Sequence, residues 1–203
     1  MRELHLRSDP CSPLASSAEG TPDLLLIQRI AAGNRLAMQV LYLRYHLRVY
    51  RHIARIVSDQ AMAEDILSEA FLDVWRKADT FRAQASVATW LLTIARNKAI
   101  SALRRRLPEE LDDKRSKALA DEDDGPELRL QKKQEFGVLR NSLAQLSPKH
   151  REIIGLVYYQ DKSCEEVAAI LGTPRNTVKT RVFYARRRLA ELLTAAGVSR
   201  TAT

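Results

Sequence analysis

Arg175, Asn176, Thr177 and Lys179 form a cluster of hydrogen-bonding side chains directly after Gly172-Thr173-Pro174. Arginine and asparagine match the donor and acceptor edges that bases present in a major groove. Arg181, Arg186, Arg187 and Arg188 follow, and no acid lies between residues 174 and 188. Cations placed behind such a cluster suit phosphate oxygens, which hold a protein in register without reading sequence. The local sequence supplies the elements that would position these groups. Ser163 caps a helix, and Glu166 stands three residues on, as a capping box requires. Val167, Ala168, Ile170 and Leu171 give that helix an apolar face. Gly172 supplies the turn, because glycine enters left-handed backbone space without cost. Thr173 is expected to cap the second helix, with Pro174 at its first position, where a missing N–H does no harm. Val178, Val182, Ala185 and Leu189 then recur at helical spacing and face inward. The expectation is a helix-turn-helix whose first residues reach base edges and whose later ones meet phosphates. A plain helical hairpin with a solvated face would mix its charges.

Two further groups of side chains could do work. The loop Thr80 to Ala85 carries Phe81, Arg82 and Gln84, and Ser86 caps a helix from Val87 to about Arg106, stopped by Pro108. Asn97, Ser101, Arg104 and Arg105 share one polar face of that helix, with Lys98 beside them. An aromatic-bearing loop next to Asn, Lys and Arg suits single-stranded bases, which stack on rings and need their phosphates neutralised. The same residues also suit a solvated basic face over core aromatics. Asp65, Glu69, Leu72 and Trp75 lie on a helix expected over residues 60–78 and capped by Ser58-Asp59. Ile66, Ala70 and Val74 face inward there, with Leu67 and Phe71 on the flank. Acids at i and i+4 beside Leu and Trp make a docking surface, or else a core tryptophan beside solvated acids.

The remaining helices complete the frame. Thr21-Pro22-Asp23 opens one lined by Leu24, Leu25, Ile27 and Ile30 and ended by Gly33-Asn34. A long second helix reaches about Val57, with Leu36, Val40, Leu43, Leu47, Tyr50, Ala54 and Val57 as its apolar stripe. Arg44, Arg48, Arg51 and Arg55 lie on another side. Residues 128–146 and 149–159 are helical, the latter capped by Ser147-Pro148. The fold class is therefore all-α, two small helical domains on a flexible acidic linker. The expected boundaries are a disordered tail over 1–20, domains over 21–106 and 128–195, a linker over 107–127, and a C-terminal tail over 196–203.

Charge agrees with that division. The chain of 203 residues carries a net +8 with a pI near 9.7, which favours a polyanionic partner. Residues 21–106 carry +7, residues 107–127 carry −6, and residues 128–203 carry +8. Two cysteines, Cys11 and Cys164, make no disulfide framework, and no CxxC or Cys/His metal spacing exists, so no metal and no cofactor is expected. A reducing cytosol fits. Cys164 at a helix start reads as a small buried hydrophobe, or as a redox sensor. No apolar run reaches a membrane span, so membrane insertion is not expected. The N-terminus has no signal-peptide core.

A ligand-sensing regulator would need an α/β sensory unit, and no βα alternation precedes residue 128. A recombinase using Tyr184 would need convergent Arg and His groups, and His5, His46, His52 and His150 show none. An enzyme is not expected.

The order of parts resembles the extracytoplasmic-function (group 4) sigma factors of the sigma-70 family, over roughly residues 25–106 and 130–193. Glu64-Asp65-Ile66-Leu67-Ser68-Glu69-Ala70-Phe71-Leu72-Asp73-Val74-Trp75-Arg76 looks like region 2.2. Trp90-Leu91 with Ile94-Ala95-Arg96-Asn97-Lys98-Ala99-Ile100 looks like regions 2.3–2.4. Leu146-Ser147-Pro148-Lys149-His150-Arg151-Glu152 and the helix-turn-helix look like region 4. Ser68, Ser101 and Asn176 depart from the family's usual Gln, Asp and Gly.

The resemblance implies a cytoplasmic transcription initiation factor. Asp65, Glu69, Leu72 and Trp75 would bind core RNA polymerase at its β′ clamp helices, with the β subunit as a further partner. Phe81, Arg82, Gln84, Trp90, Arg96, Asn97, Lys98, Arg104 and Arg105 would open and read the −10 element, the Phe81–Ala85 loop capturing an extruded base. Arg175, Asn176, Thr177, Lys179, Thr180, Arg181, Arg186 and Arg187 would serve the −35 element. The acidic linker would thread toward the RNA exit channel. An anti-sigma factor is the further partner expected.

Overall fold

A computed structural model of the chain describes residues 22–57, 59–106 and 129–197, with side chains from residue 137 onward in the last stretch. The expected N-terminal tail, residues 198–203 of the expected C-terminal tail, the acidic linker and the Thr21 and Ser58 caps lie outside the described residues. Every regular element described is helical: α1 (Asp23–Ala31), α2 (Arg35–Val57), α3 (Gln60–Lys77), α4 (Val87–Arg106), α5 (Arg129–Ala144), α6 (Pro148–Ile154), α7 (Cys164–Leu171) and α8 (Arg175–Ala195). A 3-10 turn, Ala78–Thr80, follows α3, and a π-helical turn, Gly155–Tyr159, extends α6. Among the described residues no helix is long and apolar enough to cross a membrane.

Local chemistry sets most boundaries. Asp59 accepts a hydrogen bond from the Met62 N–H at 3.1 Å and starts α3. The Ser86 hydroxyl accepts from the Thr89 N–H at 3.3 Å at the head of α4. Ser147 caps α6 through His150, and Pro148 stands in its first turn. Each cap meets a donor that the helix itself leaves unpaired.

Helices α1 to α4 enclose one core. Ile27, Ile30, Leu41, Val49, Ile53, Ile66, Phe71, Val74, Leu91 and Ala95 are among its buried members. On α3 the buried residues include Ile66, Leu67, Ala70, Phe71 and Val74, as the spacing requires. On α1 and α2 the outcome differs from the sequence reading. Leu26, Ile27 and Ile30 are buried on α1, while Leu24 and Leu25 face solvent. On α2 the core takes Ala37, Leu41, Tyr45, Val49 and Ile53, so Leu36, Val40, Leu43 and Leu47 lie outside. Only the end of the expected stripe, Ala54 and Val57, is buried. Both rows recur at helical spacing, and packing against α1, α3 and α4 decides between them.

The second core gathers Leu146, Ile153, Ile154, Leu156, Val157, Val167, Ile170, Val178, Val182 and Ala185 from α6 to α8. Leu92 of α4 is also buried in this cluster, so a side chain from the first bundle plugs the second. The two helical units therefore pack together, α4 against α7 and the second half of α2 against α6 and the π turn.

Candidate nucleic-acid interface

The helix-turn-helix forms with most of the expected local chemistry. The Ser163 hydroxyl accepts from the Glu166 N–H at 3.2 Å, and Glu166 accepts in return from the Ser163 N–H at 3.1 Å. Gly172 stands at φ 62°, ψ 38°, left-handed space that a side chain enters with strain. The start of α8 differs by one residue from the expectation. Pro174, at φ −57° and ψ 143°, is the N-cap and Arg175 the first helical residue. Thr173 caps nothing, and its hydroxyl is buried without a hydrogen-bond partner. The proline ring fixes φ but leaves ψ free to stay extended, which delays the helix by one residue.

Val178, Val182 and Ala185 anchor α8 inward. With about 100° between successive residues, the opposite side presents Asn176, Thr180, Phe183, Tyr184 and Arg187, all exposed. Arg175, Lys179 and Arg186 flank this row on one side and Thr177, Arg181 and Arg188 on the other. The Thr180 hydroxyl donates back to the Asn176 carbonyl at 3.0 Å. Arg175 pairs with Glu165 at 2.7 Å, and Arg187 and Arg188 each reach Glu191 at 3.2 Å, all at the surface. Glu191 lies below the usual carboxylate range because both arginines donate to it. Phe183 and Tyr184 meet edge to face at 5.4 Å between centroids. The sequence reading did not single them out as part of this face; counting forward from Val178 and Val182 would have placed them outward.

The residues on α4 and the loop before it are held differently. Phe81 packs against Trp90 with centroids 5.0 Å apart, both half-buried. Arg82, Gln84, Asn97, Arg104 and Arg105 are exposed. Between Arg82 and Gln84, Ala83 takes φ 53°, a left-handed backbone conformation. Lys98 pairs with Glu69 at 3.2 Å and with Asp73 at 3.4 Å. Burial pulls the Asp73 carboxyl upward, but Lys77 and Lys98 outweigh it and hold it below the usual range. Glu69 thus joins the α3 face to the α4 face. On α3, Asp65, Glu69 and Leu72 are exposed and Trp75 is half-buried, so the tryptophan contributes to both the core edge and the surface.

Arg96 turns toward the second unit. Its Nε donates to Glu152 Oε1 at 2.7 Å, with both side chains only 17% exposed. Three more groups of polar contacts bridge the same seam. Arg48 Nε donates to Gln160 Oε1 at 2.6 Å, and Gln160 Nε2 donates to the Arg48 carbonyl at 3.2 Å. Arg55 lies 4.3 Å over the Tyr159 ring. Glu166 receives Thr89 Oγ1 at 2.6 Å, Ser86 Oγ at 3.0 Å and Lys162 Nζ at 2.7 Å. Burial pulls the Glu166 carboxyl upward, but Lys162, Thr89 and the Ser163 N–H outweigh it, and its pKa falls to about 2. His52 is buried beneath this seam. Burial, with Arg55 and Arg96 nearby, drops its pKa to about 3, so the ring is neutral, and its Nε2 has no hydrogen-bond partner.

The family model described as Sigma-70 region 2 matches residues 41–107, and that described as Sigma-70, region 4 matches residues 142–191. The ECF RNA polymerase sigma factor SigL of Mycobacterium tuberculosis is 31% identical over 171 residues, covering 84% of this chain and 96% of that protein. The ECF RNA polymerase sigma-E factor of Escherichia coli is 30% identical over 178 residues, covering 83% and 93%. Among solved structures, the sigma factor RpoE in complex with the anti-sigma factor NepR from Bartonella quintana superposes with a TM-score of 0.64. It is 30% identical and covers 77% of this chain and 96% of that one.

Proposed function

The chain belongs to the extracytoplasmic-function sigma factors of the sigma-70 family, and on that premise we propose which of its residues carry out the family's work. A factor of this kind catalyses no covalent step. It joins RNA polymerase for transcription initiation, and its regions 2 and 4 bind the −10 and −35 promoter elements. In our reading region 2 occupies residues 21–106, region 4 occupies 128–195, and residues 107–127 link them. The factor works in the cytoplasm.

Helix α8 lies in the −35 major groove. Arg175, Asn176, Thr177, Lys179 and Thr180 face base edges, and Arg181, Arg186 and Arg187 hold phosphates. The observation that carries this is the outward row of α8, set opposite Val178, Val182 and Ala185 and started at a fixed point by Gly172 and Pro174. The first two turns of such a helix reach deepest. At the −10 element, Asn97, Lys98, Arg104 and Arg105 of α4 act with the loop side chains Phe81, Arg82 and Gln84 and with Trp90 on strands that have come apart. Arg96 joins them once Glu152 releases it. Asp65, Glu69, Leu72 and Trp75 dock on core polymerase, and an anti-sigma factor, the kind of partner with which the Bartonella quintana relative was solved, competes for that face.

The test is a pull-down with core polymerase followed by transcription from a promoter library. The full chain should bind core and select a −35/−10 pair. Asp65→Lys with Trp75→Ala should weaken core binding while the helical circular dichroism stays intact. Normal core binding and transcription with both changes would remove the α3 face from the mechanism.

A further inference from the structure

Cys164 opens α7 and lies buried with Val167 and Ile170 in the second core. It is not a free thiol but stands in a disulfide. The sequence holds one other cysteine, Cys11, so a single bridge, rather than a framework, ties the N-terminal segment to the helix-turn-helix. Disulfides in a reducing cytosol are chiefly transient and redox-sensing. Helix α7 is also the one that packs on α4. Cys164 stands two residues before Glu166, whose carboxylate receives Ser86 and Thr89 across the seam. The bridge is therefore made where the two units meet.

Chain length decides what such a bridge does. With both cysteines as thiols, the units are joined only through the chain from Arg106 to Arg129, which reaches at most about 80 Å when fully extended. The bridge adds a second connection, from Cys164 through Cys11 to Asp23, which reaches at most about 45 Å. A unit of about 80 residues has a radius of roughly 15 Å. The two centres can thus lie up to about 110 Å apart in the thiol form and up to about 75 Å in the bonded form. Elements centred at −35 and −10 lie about 25 base pairs, or about 85 Å, apart along B-form DNA. The thiol form can span them and the bonded form falls short.

We propose that Cys11 and Cys164 form a redox switch, which holds the two units together as a disulfide and frees region 4 for the −35 element as thiols. The inference rests on the −10 and −35 reading given above. The oxidant is a hydroperoxide. One cysteine thiolate attacks its O–O bond and becomes a sulfenic acid, with water or an alcohol as the leaving group. The other thiolate then attacks that sulfur, the S–S bond forms, and the sulfenic oxygen takes up a proton and leaves as water. Two electrons pass from the thiols to the peroxide, and a dithiol returns them by exchange.

The experiment treats the full chain with hydrogen peroxide or with dithiothreitol. Mass spectrometry of a non-reducing digest should find Cys11 joined to Cys164 in the oxidised chain. Complex formation with core polymerase on a −35/−10 promoter should fall at least about a hundredfold on oxidation, the loss expected when two linked modules no longer engage together. Dithiothreitol should restore it. Hydrogen exchange on the facing sides of α4 and α7 should be slower in the oxidised chain. Cys11→Ser should form the promoter complex equally after either treatment, and Cys164→Ala, which keeps a small apolar side chain in the core, should do the same. The proposal is overturned if no Cys11–Cys164 pair forms, if oxidation leaves the promoter complex unchanged, or if peroxide still inactivates Cys11→Ser. A reduced chain that forms no promoter complex would instead count against the −10 and −35 assignments. Hydrogen exchange then decides the switch, and equal exchange in the two redox states overturns it.

Discussion

Helices α4 and α8, the two proposed to face DNA, hold their cations in different ways. On α8 the ion pairs, Arg175–Glu165, Arg187–Glu191 and Arg188–Glu191, are exposed on both sides. Pairs of that kind are screened by water and give way readily to another anion. On α4, Arg96 sits in a half-buried pair with Glu152 of the other unit, and Lys98 is shared between Glu69 and Asp73. Region 4 is therefore ready to meet phosphate as it stands, while part of region 2's basic face is occupied by the protein's own carboxylates. On the proposed −10 role of Arg96, a closed seam of this kind would order the steps, the two units separating before Arg96 becomes available.

The largest expected effect comes from the seam's hub. Glu166→Ala removes the acceptor of Thr89, Ser86 and Lys162 and leaves the buried Lys162 ammonium uncompensated. Stripping one partner from a buried pair costs about 3–5 kcal/mol, here less because Glu166 is partly exposed, so about 3 kcal/mol. Denaturant melting of the full chain measures it. An unchanged midpoint would mean that the seam does not hold the units together in solution.

Acid should act on the same seam. His52 is neutral when folded, with a pKa near 3, and takes up a proton near pH 6.5 when unfolded. Its contribution is full above about pH 6.5 and is lost as pH falls toward 3, by about 1.4 kcal/mol per pH unit. Glu166, near 2 when folded and 4.5 unfolded, adds a loss of the same sign below about pH 4.5. Stability followed from pH 7 to pH 5 should therefore fall before any carboxylate titrates, and His52→Gln should flatten that limb. A flat profile in the parent would show that His52 is not buried as described.

A smaller effect separates Arg96 from the exposed cations. Glu152→Gln removes the counter-charge that holds Arg96, at a cost of about 1.5–3 kcal/mol. It should raise amide exchange along the α4 and α6 sides of the seam and increase binding to single-stranded −10 DNA. Glu191→Gln on α8 should change neither exchange nor −10 binding. Identical behaviour of the two variants would erase the distinction between the helices.

Much of the local framework was legible in the sequence because caps act over three or four residues. Ser163 with Glu166, Gly172, Ser147-Pro148 and Asp59 all stand where their chemistry places them. The faces of α3 and α8 were legible because each offers one apolar row. Helix α2 offers two, Leu36-Val40-Leu43-Leu47 and Ala37-Leu41-Tyr45-Val49, and periodicity alone does not choose between them. The seam was not legible at all. Arg48 with Gln160, Thr89 with Glu166 and Arg96 with Glu152 are far apart in the chain, and the packing of α2 and α4 against the second unit, with Leu92 buried in its core, brings them together.

The most direct test of the account compares Asn176→Ala with Arg187→Ala in the polymerase complex, across a set of −35 variants at several salt concentrations. Asn176 lies in the first turn of α8, and Arg187 lies three turns on, at about 1.5 Å per residue. The account predicts that Asn176→Ala changes which −35 sequence is preferred, by about 1–3 kcal/mol between sequences. It predicts that Arg187→Ala weakens all sequences alike and lowers the salt slope by about one. Altered preference from Arg187→Ala, with uniform weakening from Asn176→Ala, would contradict the placement of α8 in the groove.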